Sequence, residues 1–298
     1  MYSQKRPQNT KTIMTAIIEC VPNISEGKNK TKIQKLLTAI NNTPNTKLLH
    51  HTSDPDHNRT VITFIGKEES VFHAAYNLAK TATEILDLSQ HHGIHPRFGV
   101  VDVIPFIPLR NITAKELVPL VHQFGDKISQ LNIAPYFYEQ AATNNQHKNL
   151  ATLRKHLSET TIIKHNPQFG ASCIAVRKPL IAFNINLKSQ DLNIAKEIAT
   201  AIRPSNGGLQ EVKSLGLFLS SKNCTQISMN LTDYTITPPQ QVFKAIEKLA
   251  QKHQIEILES ELIGMIPSEI VDTNFAKNLH IKNFTTSQIL NITTLTLN

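Results

Sequence analysis

Residues Lys47–Gly66, KLLHHTSDPDHNRTVITFIG, decide the fold of this chain. Apolar and β-branched residues fill both ends of the stretch, and the polar run Ser53–Asn58 separates them. This pattern predicts two strands joined by a turn. Apolar residues at helical spacing precede the hairpin between Ile33 and Ile40 and follow it between Val71 and Leu86. The hairpin therefore marks the centre of a βαββαβ unit.

The rest of the chain extends this unit and then repeats it. Ile17–Val21 and Val100–Ile104 are predicted as its first and last strands, and Thr113 and Glu116 form a capping box that starts a third helix. The second half is predicted to contain helices capped by Ser189 and Thr237 and strands at Leu180–Leu187, Val212–Leu219, Ile227–Leu231 and Ile255–Leu258.

We therefore predict an α+β fold of two tandem ferredoxin-like (βαββαβ) subdomains, with a cleft between them as the ligand site. Residues 1–15 are expected to form a disordered tail. The two subdomains are expected to span residues 16–178 and 179–298.

Composition narrows the class of protein. With 298 residues, 40% of them hydrophobic and 18% charged, the chain is expected to be globular. The most apolar run, Val100–Leu109, contains Asp102 and two prolines, so no membrane span is predicted. The central strands lack the paired aromatics on which bases stack, which argues against nucleic acid despite a net charge of +8. Three scattered cysteines and no export signal indicate a cytoplasmic protein.

The segment His91–Gly99, HHGIHPRFG, which we call the histidine loop, is the richest in chemistry. Three interpretations are open: proton transfer, metal binding, or a purely structural polar loop. A histidine exchanges protons near neutral pH, and Arg97 offers a planar fork for a carboxylate. Metal binding needs three convergent ligands, and no further ligand pattern supports it, so we predict no metal site. Proton transfer beside an anionic substrate is favoured.

Three segments together resemble the formiminotransferase domain found in glutamate formimidoyltransferases and formiminotransferase-cyclodeaminases. They are Glu19–Gly27 (ECVPNISEG), Asp54–Val61 (DPDHNRTV) and His92–Gly99 (HGIHPRFG). Further similar stretches are Leu180–Leu187, Gly207–Leu209, Val212–Gly216, Met229–Tyr234 and Glu261–Gly264. The resemblance runs from about Ile17 to Pro267, and we expect no cyclodeaminase part.

The resemblance implies transfer of the formimino group from N-formimino-L-glutamate to N5 of tetrahydrofolate, in histidine catabolism and one-carbon metabolism. It also implies a folate-binding groove, tetrahydrofolate as co-substrate and a homodimer. Two other functions stay open. One is a folate-binding or interaction protein that has lost transferase activity, and the other is an enzyme of the same scaffold that uses another one-carbon folate.

The resemblance assigns the catalytic role to the histidine of the His-Pro-Arg triplet, His95, acting as general acid and base. Substrate and folate contacts are expected from Arg97, Arg59, Asn58, Asn23, Asp102, Gly170, Ala171 and Ser172. Two of these keep a second interpretation. Asn58 also fits an Asx turn at the hairpin tip, and Asp102 also fits a strand residue that faces solvent.

The chain departs from the family pattern at two places. The family carries a longer segment with Pro-Asp-Phe-Gly-Pro where this chain has only Asn166–Cys173, so part of the folate contact is expected to be missing. Family members also often carry an acidic residue that orients the catalytic histidine in the stretch corresponding to Leu48–Ser53. Asp54 and Asp56 are the candidates to replace it.

Overall fold

A computed structural model of the chain describes residues 15–94, 97–159 and 166–297. The first half contains β1 (Ile17–Cys20), β2 (Asn23–Ile24), α1 (Lys30–Asn41), β3 (Thr46–Asp54), β4 (Arg59–Lys67), α2 (Glu68–Ile85), β5 (Val101–Arg110), α3 (Ala114–Ser129), β6 (Ala134–Glu139), α4 (Leu150–Glu159) and β7 (Ala171–Val176). The second half contains β8 (Ile181–Leu187), α5 (Leu192–Ala201), β9 (Val212–Leu219), β10 (Cys224–Leu231), α6 (Pro239–Lys252), β11 (Ile257–Ile263), β12 (Ile266–Pro267), α7 (Phe275–Asn278) and β13 (Ile289–Leu290). Nearly all of the predicted tail, residues 1–14, lies outside the described residues, as does His95.

One sheet runs through the first half. β1 and β2 follow one another at the same position in the sheet. Each pairs antiparallel with β4 on one side and with β5 on the other. β3 extends the sheet beyond β4, whereas β7 and β6 extend it beyond β5 in parallel pairing. The predicted βαββαβ order is present, and β6, α4 and β7 enlarge it.

Alternation along the strands separates two apolar layers in the first half. Ile18, Phe64 and Phe106 belong to the main core, which α1, α2 and α3 cover. A smaller cluster contains Leu153 of α4 and Cys173 of β7 together with Phe98 of the histidine loop. α4 therefore packs on the sheet beside that loop and brings its polar residues to the site described below.

The second half is a four-stranded antiparallel sheet with the order β11-β8-β10-β9. Ile181, Phe183 and Ile185 alternate along β8 into the core formed with α5 and α6, whereas Asn184 and Asn186 point to the opposite face. The prediction of a mixed α/β chain with two halves of the same element order is confirmed. The predicted boundary after residue 178 lies in the connection between β7 and β8.

Two predicted helix caps of the second half are wrong by one or two residues. Asp191, not Ser189, caps α5, because its carboxylate accepts a hydrogen bond from Asn193 N at 2.8 Å. α6 begins at Pro239 with Pro238 as its N-cap, one residue after the predicted Thr237. Proline lacks an N–H group, so a helix that starts with it needs less side-chain capping. The predicted capping box of Thr113 and Glu116 is confirmed.

The helices in the described part of the chain are too short or too polar to cross a membrane.

Glu19 of β1 is a carboxyl group buried at the centre of the sheet, between Ile65 of β4 and Ile107 of β5. Burial raises its pKa from 4.5 to about 7, and the charge of Arg177 only partly offsets this rise. The folded chain therefore holds this proton more tightly than the unfolded chain does. The resulting stability is fully present below pH 4.5 and is lost as the pH rises to about 7.

We expect Glu19→Gln to increase the free energy of unfolding at pH 8 by ~3 kcal/mol, because the amide carries no charge to bury. Below the unfolded-state pKa of 4.5 the difference from wild type should vanish. Urea unfolding followed by circular dichroism between pH 4 and 8 measures it. A stability difference that does not change with pH would show that Glu19 does not titrate in this range.

Candidate active site

The tip of the β3–β4 hairpin, residues 54–59, is clamped to the two segments beside it. Asn58 has a positive φ of 46°, a conformation that asparagine tolerates. Its Oδ1 accepts a hydrogen bond from Gly27 N at 2.9 Å, and its Nδ2 donates one to His92 O at 3.0 Å. A Cβ atom on Gly27 would lie only 2.3 Å from Asp54 O. The hairpin tip thus joins the β2–α1 connection to the histidine loop.

The far end of the histidine loop contacts the segment before β7. Phe98 O accepts a hydrogen bond from Ala171 N at 2.6 Å, and Gly99 forms a β-bridge with Gly170. A Cβ atom would lie 2.1 Å from Ala171 O if added to Gly99, and 2.0 Å from Phe98 O if added to Gly170. Both positions therefore require glycine, since the two backbones lie in direct contact.

Two residues predicted to contact folate, Ala171 and Ser172, have no exposed surface. They belong to β7, which lies between β5 and β6, and Ser172 Oγ donates a hydrogen bond to Val101 O. In this structure they offer no atom to a ligand, because a strand inside a sheet with apolar layers on both faces is covered on both sides. Gly170, at the turn before the strand, pairs with Gly99 of the loop, whereas Ala171 contacts the loop through its backbone N–H, which donates to Phe98 O.

Three arginines gather around one buried carboxylate at the base of the loop. Asp102 Oδ2 lies 3.6 Å from Arg97 Nη1 and also forms an ion pair with Arg154 Nη2, while Asp102 Oδ1 accepts a hydrogen bond from Phe98 N at 2.9 Å. Arg97 Nη2 donates to His57 O at 3.1 Å. Arg59 at the hairpin tip completes what we call the arginine cluster, formed by Arg59, Arg97 and Arg154.

The arginine cluster carries more positive charge than its surroundings neutralise. Burial, together with the charges of Arg97 and Arg154, lowers the pKa of Arg59 to about 9 even though Asp102 and Asp54 oppose the shift, so two carboxylates face three guanidinium groups. The side chain of Arg97 is 4% exposed, and its Nε has no hydrogen-bond partner in the described part of the chain. A buried guanidinium with a free N–H indicates a place for an anion, which would supply the missing charge and acceptor.

Asp102 and Asn58 have structural partners for their polar atoms. Asp102 is 1% exposed, so the interpretation that it faces solvent is wrong, because Phe98 N and two arginines hold the carboxylate. Asn58 bonds to Gly27 and His92 rather than capping its own turn. These contacts hold the loop and the arginines, and they leave both side chains little capacity for a ligand.

The three remaining polar predictions are placed differently. Asn23 is half-buried in β2, and its Nδ2 lies 3.4 Å from Val21 O. Asp54 Oδ1 accepts a hydrogen bond from His57 N at 2.7 Å. Asp56 accepts one from Ser221 N at 3.2 Å, so both candidate replacements for the family's acidic residue hold backbone at or near the hairpin tip.

His95 and Pro96 of the histidine loop are outside the described residues, and the structure bears on them only through their chain neighbours. Ile94 N, just before His95, donates a hydrogen bond to Asp56 O at 3.2 Å. Arg97, just after Pro96, belongs to the arginine cluster. The described residues on either side of this pair, Ile94 and Arg97, thus both bond to the hairpin tip.

Arg154 of α4 is a member of the site that sequence reasoning missed. It lies between two buried leucines of the helix, Leu153 and Leu157, and its guanidinium stands 5.8 Å from the ring centre of Phe98. In the sequence it stands in the polar stretch TLRKH, which is typical of a solvated helix face. No local signal distinguishes it, since its partner Asp102 is 52 residues away.

A cavity of about 390 Å³ also borders the histidine loop. Its lining includes Asn58, His91 and Gln168 together with the C-terminal end of α2, and all of its lining residues belong to the first half. This cavity is therefore not the predicted cleft between the halves. Within residues 15–94, 97–159 and 166–297, no group of three or more metal-binding side chains lies close enough to hold an ion.

The chain matches known proteins over most of its length. The N-terminal subdomain of the formiminotransferase domain matches residues 17–178, and the formiminotransferase domain matches residues 182–291. Glutamate formimidoyltransferase from Streptococcus pyogenes is 34% identical over 286 residues, which cover 91% of this chain and 96% of that protein. The Thermoplasma acidophilum enzyme of the same name is 36% identical, covering 92% and 96%. The formimidoyltransferase-cyclodeaminase of Sus scrofa is 37% identical and is covered over 51% of its length.

These matches show that the chain, with its two halves of one element order and its histidine loop beside the arginine cluster, is a transferase. The chain is a member of the formiminotransferase family. Two relatives that are matched over 96% of their own length carry the name glutamate formimidoyltransferase.

Proposed function

We propose that the protein is a glutamate formimidoyltransferase, which transfers the formimino group of N-formimino-L-glutamate to N5 of tetrahydrofolate. Similarity over nine-tenths of the chain to two enzymes of that name supports the reaction. Tetrahydrofolate is the co-substrate that accepts the one-carbon group, and glutamate is the leaving product.

The observation that carries the proposal is the surplus positive charge of the arginine cluster. Formiminoglutamate carries two carboxylates, and the glutamate tail of tetrahydrofolate carries two more. Within the described residues Arg97 has a buried Nε–H without a hydrogen-bond partner, and Arg59 is half-buried beside it with a lowered pKa. A bound carboxylate would accept hydrogen bonds from a planar guanidinium and neutralise the charge, which makes these two arginines the proposed anion ligands.

The chemistry requires a group that moves one proton. N5 of tetrahydrofolate attacks the formimino carbon, and the adduct must lose the proton of N5 and protonate the glutamate nitrogen before the C–N bond to glutamate breaks. A histidine can accept the first proton and donate the second, because its pKa lies near neutral pH. We assign this role to His95.

The other predicted contacts have narrower proposed roles. Asp102 and Asn58 position the arginines and the loop, as their engaged polar atoms indicate. Arg154 forms an ion pair with Asp102 and so neutralises part of the charge of that carboxylate. Asn23 and Gly170 remain proposed contacts at the edge of the site. Gln168, two residues before Gly170, accepts a hydrogen bond at 2.8 Å from the backbone N of Leu88, which lies just before the histidine loop.

The test is to incubate the purified chain with formiminoglutamate and tetrahydrofolate and to measure released glutamate. We expect release that requires both substrates. Tetrahydrofolate binding without glutamate release would favour the folate-binding protein that has lost transferase activity. If formiminoglutamate releases no glutamate but another one-carbon folate supports one-carbon transfer, the chain is an enzyme of the same scaffold with a different folate substrate. Binding of neither substrate would contradict all three functions.

We also infer from the family resemblance that the protein is a cytoplasmic homodimer. Its three cysteines, Cys20, Cys173 and Cys224, are buried free thiols, which suits a reducing compartment. Sedimentation velocity should show a species of twice the 33.4 kDa chain mass. A species of single-chain mass at micromolar concentration would contradict the dimer.

A further inference from the structure

Two side chains at the hairpin tip of the first half reach across to the second half. The carboxylate of Asp56 accepts hydrogen bonds from the backbone N and the hydroxyl of Ser221, in the β9–β10 turn. His57 Nε2 lies 3.0 Å from Oε1 of Gln226, in β10. Both His57 and Gln226 are buried, at 2% and 0% exposure. The tip is therefore fixed by the second half rather than by its own strands alone.

The backbones of the same two residues hold the histidine loop. Ile94 N donates to Asp56 O at 3.2 Å, and Arg97 Nη2 donates to His57 O at 3.1 Å. A Cβ atom on Gly93 would lie 2.4 Å from His57 O, so the loop lies directly against this peptide. Both chain neighbours of the His95–Pro96 pair thus depend on the position of the tip.

The hydrogen bonds in the second half determine which side-chain atom of Gln226, Oε1 or Nε2, faces His57. Asn186 Nδ2 donates to Glu259 at 3.0 Å and to Glu261 at 2.9 Å, because carboxylates only accept. Asn186 Oδ1 must then accept from Gln226 Nε2, at 2.8 Å, and the same Nε2 also donates to Glu261 at 3.1 Å. Gln226 Oε1 therefore faces the ring, and His57 Nε2 has to be the donor.

Lysines bind the two carboxylates, Glu259 and Glu261, that accept from Asn186. Lys222 Nζ lies 2.7 Å from Glu259 and 2.5 Å from Glu261, and Lys282 Nζ lies 3.0 Å from Glu259. Burial alone would raise the pKa of Glu259, but the hydrogen bonds from Lys222, Lys282 and Asn186 outweigh it and lower that pKa to about 2. Glu259 is therefore an ionised acceptor for Asn186 Nδ2 over the whole neutral pH range.

We propose that Gln226 is a positioning residue for the transferase reaction, which acts by binding His57 as the Nε2–H tautomer and so places Arg97 and the histidine loop. The inference rests on the proposed function, and it assigns part of the active-site geometry to a residue of the second half. A chain of hydrogen bonds runs from Glu259 and Glu261 through Asn186 and Gln226 to His57.

The first test is Gln226→Leu, which keeps the size of the side chain and removes its acceptor. We expect kcat/KM for formiminoglutamate to fall about 10- to 100-fold, because misplacing a substrate-binding group by about 1 Å costs that order of rate. Gln288→Leu is the matched control. Gln288 is also a buried glutamine of the second half, but it bonds to Leu262 O and Gly264 O, away from the loop. The Gln288→Leu variant should be less stable than the wild type and keep the wild-type kcat/KM.

The second test uses His57 itself. The amide nitrogen of a glutamine is as many bonds from Cβ as Nε2 of histidine, whereas that of an asparagine corresponds to Nδ1. His57→Gln should therefore restore the donor to Gln226 and retain most of the activity, whereas His57→Asn should lose activity to the extent of Gln226→Leu. Equal activity of the two variants would contradict the inference.

A readout independent of activity separates this inference from the proposed function. Nitrogen-15 NMR of the folded protein should show His57 protonated at Nε2, and Gln226→Leu should shift the Arg97 Nε–H signal while Gln288→Leu leaves it unchanged. A wild-type His57 protonated at Nδ1, or an Arg97 signal insensitive to Gln226→Leu, would overturn the inference. A wild-type chain without transferase activity that still shows both NMR effects would overturn the proposed function alone.

Discussion

Replacing His95 with alanine is expected to lower kcat for formimino transfer by about 10²- to 10⁴-fold, the usual loss when a general acid-base group is removed. His95 is the proposed carrier of the proton between N5 of tetrahydrofolate and the glutamate nitrogen. Tetrahydrofolate affinity should change little, because the arginines that bind carboxylates remain. Steady-state glutamate release and equilibrium folate binding, measured on the same preparation, give the two quantities.

The control is His92→Ala, which removes a neighbouring imidazole of the same loop. The ring of His92 is exposed, and alanine keeps the carbonyl that accepts from Asn58 Nδ2. We expect kcat within about threefold of wild type, as for exposed substitutions generally. Near wild-type turnover by His95→Ala would show that another group moves the proton.

Arg97→Lys is expected to lower kcat/KM for formiminoglutamate about 10- to 100-fold, which corresponds to the loss of one charged hydrogen bond. Lysine keeps the positive charge but lacks the planar fork that binds a carboxylate through two parallel hydrogen bonds. It also removes the Nη2 contact to His57 O, so the loop loses one attachment. The effect should be largest in KM, because the proton-transfer group is unchanged.

A second arginine-to-lysine change controls for the loss of a guanidinium that donates to a backbone carbonyl. Arg203 is half-buried in the second half, and its Nε donates to Ser214 O at 3.0 Å. Arg203→Lys should lower stability and leave kcat/KM unchanged. If Arg97→Lys also leaves KM for both substrates unchanged, Arg97 does not bind a carboxylate, and the anion site has to lie elsewhere.

Several parts of the structure could be predicted because their causes are local. The β3–β4 hairpin, the apolar stripes of α1 and α2 and the capping box at Thr113 each depend on residues within a few positions of one another. The cap predictions at Ser189 and Thr237 were wrong although their causes are local too. Two or three polar or proline residues compete there, and small differences in turn geometry select one of them.

The candidate site was predicted in part. Arg59 and Arg97 were expected from long, specific motifs, and both belong to the arginine cluster. Asp102 was expected as a ligand contact or a solvent-facing residue, and it is a buried counter-charge. Neither alternation nor composition indicates this role. One of the two arginine partners of Asp102, Arg154, lies on a helix whose packing depends on the whole sheet.

The sequence by itself determined the repeated βαββαβ order, the histidine loop and the family, because each is encoded by neighbouring residues. Only the tertiary structure decided which side chains meet. Arg154 reaches Asp102 over 52 positions, and Gln226 reaches His57 over 169. These contacts are set by packing a helix onto β7 and a hairpin tip onto the second sheet. Their energy comes from burial and charge in a shared interior, which no local stretch of sequence records.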